Sequence, residues 1–174
     1  MKAAVLFTIK IFLLNFIIYV FSISLVNYFW APDFDLKFLL ISSAIICFLF
    51  TLFHLYKHIR EVKKLHHRNL EASDFRVHQI LNFQIPLNKA QVLHKLQTNF
   101  PAKAWEAATE HDTIRLKTNF SWKSFGEKVQ IQIKKLNDDL SEISIESRPI
   151  NPLTIWDYGK NQENILYLKN LLTA

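Results

Sequence analysis

The sequence predicts a two-helix transmembrane hairpin joined to a small α+β domain of order β-α-β-β-β-β-α, with two helices covering one face of an antiparallel sheet. Three observations predict it. Two long uncharged apolar runs stand close together in the first third of the chain. A basic segment follows them directly. The remainder alternates in short, strand-like stretches flanked by helical periodicities. The 174 residues leave room for an anchor and one compact domain. The divisions read from these patterns are a hairpin over 1–56, a basic amphipathic juxtamembrane helix and linker over 57–73, and a soluble domain over 74–174.

The first run, Ile11 to Trp30, has 20 residues without a charge. As a helix it is about 30 Å long, the thickness of a bilayer's hydrocarbon core. The second, Phe38 to Tyr56, has 19. Neither shows the polar face of a helix on a soluble core; the polar residues are scattered ones such as Asn15, Asn27, Ser42, Ser43, Thr51 and His54. A cleavable signal peptide is a poorer reading, because the apolar stretch is too long, no small-residue cleavage site follows and a second span comes at once. Ala31 to Lys37 is short enough only for a turn at one membrane face, and Pro32 stops the first helix there. Both termini then share a side. Lys2, Lys10 and the cluster after the second span oppose a turn holding Asp33, Asp35 and Lys37, so the positive-inside rule places both termini in the cytoplasm of a multi-pass inner (plasma) membrane protein. Tyr28, Phe29 and Trp30 fit an aromatic belt at the outer interface.

The net charge of +6 is concentrated: Lys57, Arg60, Lys63, Lys64 and Arg68 against Glu61 leave +4 in twelve residues, whereas 12 bases and 10 acids balance from Val77 onward. The basic balance is thus a feature of the membrane surface, where these five side chains meet anionic headgroups, and it gives no ground for a nucleic-acid partner. Leu55, Ile59, Val62 and Leu65 recur at helical spacing, which extends the second helix to about residue 70. His54 and His58 share a helix face, as a metal or haem pair would, but no third ligand stands at a recognisable spacing, and no metal or cofactor is expected. Cys47 is the single cysteine, which rules out an intramolecular disulfide.

In the soluble domain, Phe75–Gln84 reads as a strand with Val77, Gln79, Leu81 and Phe83 on one face. Asn88 and Gln91 form a capping box before a helix with Ala90, Leu93, Leu96 and Phe100 as its apolar stripe. Four strands follow, Ala104–Glu110, Thr113–Phe120, Lys128–Leu136 and Leu140–Ser147, in which Ile114/Leu116, Val129/Ile131/Ile133 and Ile143/Ile145 alternate with polar residues. His111-Asp112 and Asn137-Asp138-Asp139 suit the hairpin turns, and Asn161 suits the cap of a last helix aligned on Ile165, Leu168 and Leu172.

Catalytic motifs are missing: there is no nucleophile elbow, P-loop, cysteine pair or zinc signature. Two segments stand out instead, Phe120–Glu127 and Ser147–Asn161. As a ligand site they would set Lys123 and Arg148 against an anion, with Trp122 and Trp156 as apolar walls and Asp157 beside them. As structure, Gly126 and Gly159 supply positive φ, Asp157 bonds nearby backbone and the tryptophans close the core; this second reading is preferred. Ser147, Arg148 and Pro149, then Asp157, Tyr158, Gly159, Lys160 and Asn161 before an amphipathic helix, together with the Gly126-Glu127 pair opening a central strand, resemble the ending of small bacterial membrane-anchored domains of unknown function. The resemblance covers about the last hundred residues and leaves out the membrane hairpin; it implies a two-layer α+β arrangement and supplies no catalytic residues. The function expected is a membrane-tethered cytoplasmic domain that binds an unidentified protein or small molecule. The alternatives are a lipid or small-molecule pocket between sheet and helices and, third, a hydrolase.

Overall fold

The computed structural model describes residues 2–30, 36–65, 69–99, 105–110, 113–121 and 123–174. Residues 31–35 of the expected Ala31–Lys37 turn, with Pro32, residues His66, His67 and Arg68, the His111-Asp112 turn and Trp122 lie outside the described residues, while Leu36 and Lys37 already belong to the second helix. The chain forms two compact units, Met1–Phe75 and Arg76–Ala174.

The first unit is built on two long helices, α1 (Lys2–Trp30) and α2 (Leu36–Leu65), which pack against each other. They contain the two expected spans. Their stretches long and apolar enough to cross a membrane, Val5–Tyr28 and Lys37–Leu65, run to 24 and 29 residues. Ile17, Phe21, Phe38 and Leu49 point outward and are each at least 60% exposed. A helix of a water-soluble core would bury such side chains. The buried face of α2 is a line of residues three or four apart: Leu39, Ser43, Cys47, Thr51, His54, His58 and Val62. Small side chains in the middle of that line let α1 approach closely. Their hydroxyls bond the helix's own backbone, Ser43 Oγ to Leu39 O at 2.6 Å and Thr51 Oγ1 to Cys47 O at 2.7 Å, so these two side chains need no partner on the other helix.

The helix expected to continue to about residue 70 is described as far as Leu65 and has ended before Asn69, since residues 69–71 carry no helix. A 3-10 turn at Ala72–Phe75 follows. The buried Asp74 carboxylate takes the Glu71 N–H at 2.6 Å, and the Asp74 N–H bonds Glu71 O at 3.1 Å, which favours a tight turn over a further α-helical one. His58 donates from Nε2 to the Asp74 carbonyl at 2.8 Å, and its ring sits 4.7 Å from that of Phe7 and 5.5 Å from that of Phe75. The histidine is a packing residue that ties the turn to both helices, and it draws the unit boundary from the expected residue 74 to Arg76. Among the described residues no group of three or more His, Cys, Asp or Glu is placed to hold a metal.

The second unit is a five-stranded sheet, all antiparallel, in the order β1-β5-β4-β3-β2, where β1 is Gln79–Ile85, β2 Trp105–Glu110, β3 Thr113–Thr118, β4 Glu127–Lys135 and β5 Ser141–Pro149. After β1 the chain crosses to the far edge through α3 (Lys89–Asn99), then winds back strand by strand until β5 lies beside β1. The last helix, α4 (Lys160–Thr173), packs on β1, β5 and α3. Alternation decides the faces. Val129, Ile131 and Ile133 of β4, Ile143 and Ile145 of β5 and Ile114 and Leu116 of β3 are buried against Val92 and Leu96 of α3 and Ile165, Leu168 and Leu172 of α4. Each such side chain contributes roughly 1.5–3 kcal/mol on burial. β1 begins four residues later than expected, with Gln79, Leu81, Phe83 and Ile85 turned inward. The capping box is present: Asn88 N–H donates to Gln91 Oε1 at 2.8 Å and Gln91 N–H to Asn88 Oδ1 at 3.0 Å. The stripe of α3 keeps the expected Leu96, buried, and Leu93, partly buried against the core, but adds the buried Val92 and leaves Ala90 exposed.

Because this core is drawn from residues of the second unit, a fragment spanning Arg76–Ala174 is expected to fold without the helical hairpin. It should give one cooperative thermal transition and a circular dichroism spectrum with both helix and strand signatures. A chain that aggregates or melts without a transition would show that the core needs the first unit.

Candidate functional site

One end of the sheet gathers the start of β1, the β3–β4 loop (Asn119–Gly126) and the β5–α4 loop (Ile150–Gly159). Beneath these loops, on the helix-covered side, the apolar faces of the strands end in polar residues. Thr118, Glu127 and Ser147 occupy the buried phase of β3, β4 and β5, and Asn161 and Asn164 occupy that of α4. All are at most 8% exposed, which at such positions requires partners. They supply them to one another. Thr118 and Ser124 donate their hydroxyls to Glu127, and Asn164 Nδ2 lies 3.4 Å from both Glu127 Oε2 and Ser147 Oγ. Ser147 Oγ donates to Asn161 Oδ1 at 2.6 Å, and Asn161 Nδ2 donates to Asp157 Oδ2 at 2.7 Å.

Asp157 is the hinge of this chain of bonds. Tyr158 (φ 49°) and Gly159 (φ 76°) are both left-handed, which turns the backbone sharply into α4. The tyrosine conformation costs about 1–2 kcal/mol. Asp157 offsets it by accepting the Gly159 N–H at Oδ1 (3.1 Å) and the Asn161 N–H at Oδ2 (2.8 Å). The expected cap, Asn161, is therefore not the cap: Gly159 holds that position without a side-chain bond, and Asn161 is the second helical residue, turned inward. The carboxylate two residues before Gly159 reaches the free N–H groups instead. Gly126 (φ 90°) turns the other loop into β4, and a Cβ there would lie 2.8 Å from Thr118 O.

Burial pushes the Glu127 carboxyl above the usual carboxylate range, against the hydrogen bonds from Thr118 and Asn164 and the charge of Lys160, and with the charge of Asp157. Burial likewise pushes Asp157 up, opposed by its bonds from Asn161 and Gly159. Glu163 feels burial too, but Lys123 and Lys160 beside it hold it below the usual range.

The residues singled out in the sequence are not brought to one cavity. Lys123 Nζ pairs with Glu163 at 3.0 Å. Asp157 is sealed beneath the loop, and the half-buried Trp156 hydrogen-bonds Tyr158. Arg148 stands on the opposite, helix-free face of the sheet, exposed and 3.7 Å from Glu146. Trp122 lies outside the described residues, as does Arg68 of the basic run; Lys57, Arg60, Lys63 and Lys64 form the basic end of α2, where Lys64 pairs with Glu61 at 2.5 Å.

The open face carries a feature that spacing alone could not show. Lys117 pairs in register with Lys128, and Lys128 with Arg148, so three exposed cations form a row across β3, β4 and β5. Like charges directly opposite on neighbouring strands repel. Beside the row is a groove of about 400 Å³ lined by Val77, His78, Lys128, Arg148, Ile150 and Pro152 among others. His78 Nε2 lies 3.0 Å from Glu146 at its edge. The buried cluster was missed in the sequence for a different reason, although its trace is there: Glu127, Ser147 and Thr118 fall in the same strand phase as the isoleucines they follow or precede. No protein-family profile matches the chain, and no curated protein is significantly similar to it.

The two buried acids make opposite demands. Both oxygens of Asp157 face N–H donors, so Asp157→Asn sets an amide against amides and Asp157→Ala leaves the turn unsatisfied. Each should lower stability by about 1–3 kcal/mol in chemical denaturation. Glu127 takes Ser124 at Oε1 and Thr118 with Asn164 Nδ2 at Oε2, so a glutamine that keeps its oxygen at the Oε2 position and turns its amide to the Ser124 hydroxyl, which can accept, should let Glu127→Gln fold normally. Since the folded Glu127 is raised above its ordinary value of 4.5, its contribution is complete below that pH and lost as pH rises through the folded value. The melting temperature of Glu127→Gln relative to wild type should therefore rise from about pH 4.5 until the folded value is passed, and then level off. A difference that shrinks as pH rises would contradict the assignment.

Proposed function

We propose that this chain is an integral, multi-pass protein of the bacterial inner membrane, with both termini in the cytoplasm and a tethered, non-catalytic domain that binds a partner. The membrane part rests on α1 and α2: most of their large apolar side chains face outward, and their inward hydroxyls are satisfied by their own backbone. The basic end of α2, against Asp33 and Asp35 in the sequence between α1 and α2, supports the orientation. The resemblance of the Ser147–Asn161 segment to bacterial membrane-anchored domains is consistent with this reading.

The observation that carries the binding role is the uncovered face of the sheet. The only fully buried carboxylates among the described residues of the second unit, Glu127 and Asp157, are enclosed and engaged by neighbours, which suits them to holding structure. The exposed chemistry lies across the sheet, on the cationic row and its groove. The second reading, a ligand held between sheet and helices, has less support because Val92, Leu96, Ile131, Ile145 and Leu168 fill that space. Hydrolysis is supported least.

Topology is the first test. A reporter active only outside the cytoplasm should be silent when fused after Ala174 and active within Pro32–Asp35, and the protein should stay with the membrane through an alkaline wash. The reverse reporter pattern would overturn the orientation, and release by the wash would overturn the membrane assignment.

A further inference from the structure

We infer that the end of the sheet bearing the β3–β4 and β5–α4 loops is a docking surface for an anionic phospholipid bilayer. This rests on the membrane reading above and goes beyond it by naming the occupant. Two independent features of the second unit coincide there. The first is charge: Lys117, Lys128 and Arg148 stand side by side on adjacent strands, with Glu146 as the acid near Arg148. A row of cations that repel one another is relieved by an anion bridging them.

The second feature is apolar exposure. Phe120 and Phe125, on the β3–β4 loop, are 72% and 67% exposed and rest edge-to-face with ring centroids 5.6 Å apart. Leu153, on the β5–α4 loop, is 81% exposed. The two loops are bound together by the Ile150 N–H, which donates to Gly126 O at 3.0 Å. Large apolar side chains at loop tips next to a cationic rim match an interface whose headgroups are anionic and whose interior is hydrocarbon. A soluble phosphate would satisfy the cations and leave Phe120, Phe125 and Leu153 in water. A protein partner would satisfy both, but the chain's own tether keeps a bilayer at hand, and that favours lipid.

Each basic residue near an anionic surface shifts the docking equilibrium by about fivefold. The test uses the full chain in lipid nanodiscs, with Cys47→Ser to remove the native thiol and Asn119→Cys carrying a fluorophore beside Phe120. Nitroxide-bearing lipids should quench the fluorophore strongly in nanodiscs containing phosphatidylglycerol and weakly in purely zwitterionic ones. Lys128→Glu with Arg148→Glu should reduce the quenching to the zwitterionic level while leaving the melting transition in place, because both side chains are exposed. Equal quenching in the two lipid compositions, absence of quenching in both, or quenching that survives the double charge reversal would each overturn the inference. Retention of the chain in nanodiscs through an alkaline wash is scored separately, so a failed anchor and a failed docking surface give different results.

Discussion

The structure of the second unit depends on one carboxylate. Asp157 sits where β5 has ended and α4 has not begun, at a reversal that requires two successive left-handed residues, only one of them glycine. By taking the N–H groups of Gly159 and Asn161 it fixes the direction in which α4 leaves the turn. That direction sets Ile165, Leu168 and Leu172 over the strands, and it places Asn161 and Asn164 over Ser147 and Glu127. An apolar contact could hold the helix down but not choose its rotation or register. The polar chain from Asp157 to Glu127 does choose, because each member satisfies its neighbour only in one arrangement. Burying two acids there has a cost, seen in the upward push on both carboxyls, and the gain is a defined helix position.

The helical hairpin solves a related problem by other means. There the backbone is satisfied within each helix, and the hydroxyls of Ser43 and Thr51 fold back onto their own turn. Specificity comes from size: small residues along one face of α2 admit α1, and large ones elsewhere point outward. His58 is where the two chemistries meet. Its ring packs between Phe7 and Phe75, while its Nε2 serves the carbonyl of Asp74 in the turn that ends the unit.

Much of this was legible in the sequence, and the parts that were not share a cause. Uncharged length revealed both apolar helices, and period-two alternation revealed which faces of β3, β4 and β5 are buried. The Asn88–Gln91 capping box was readable because both halves are local. The α4 cap was misplaced by two residues because a side chain outside the helix took over the role, and local pattern does not distinguish an asparagine that caps from one that faces inward. Glu127 was visible only as the partner of Gly126, although its strand phase already put a charge in the core. The row of Lys117, Lys128 and Arg148 could not be read at all: its members are 11 and 20 residues apart, and only the register of three strands makes them neighbours.

That register also separates what the two faces of the sheet are for. Period two lets the inward and outward residues of a strand be specified independently. The inward set is consistent with stability throughout, apolar in the middle and polar where partners exist. The outward set is consistent with stability at one end, where Lys134 of β4 stands opposite Glu142 of β5 and the two approach to 3.7 Å. Six residues earlier on the same strand the rule is broken, with Lys128 opposite both Lys117 and Arg148. A sheet shaped for folding alone would alternate signs at that end as it does at the other. The exception falls on the face without helices, beside loops that expose Phe120, Phe125 and Leu153, and it is at such local violations that function is to be sought.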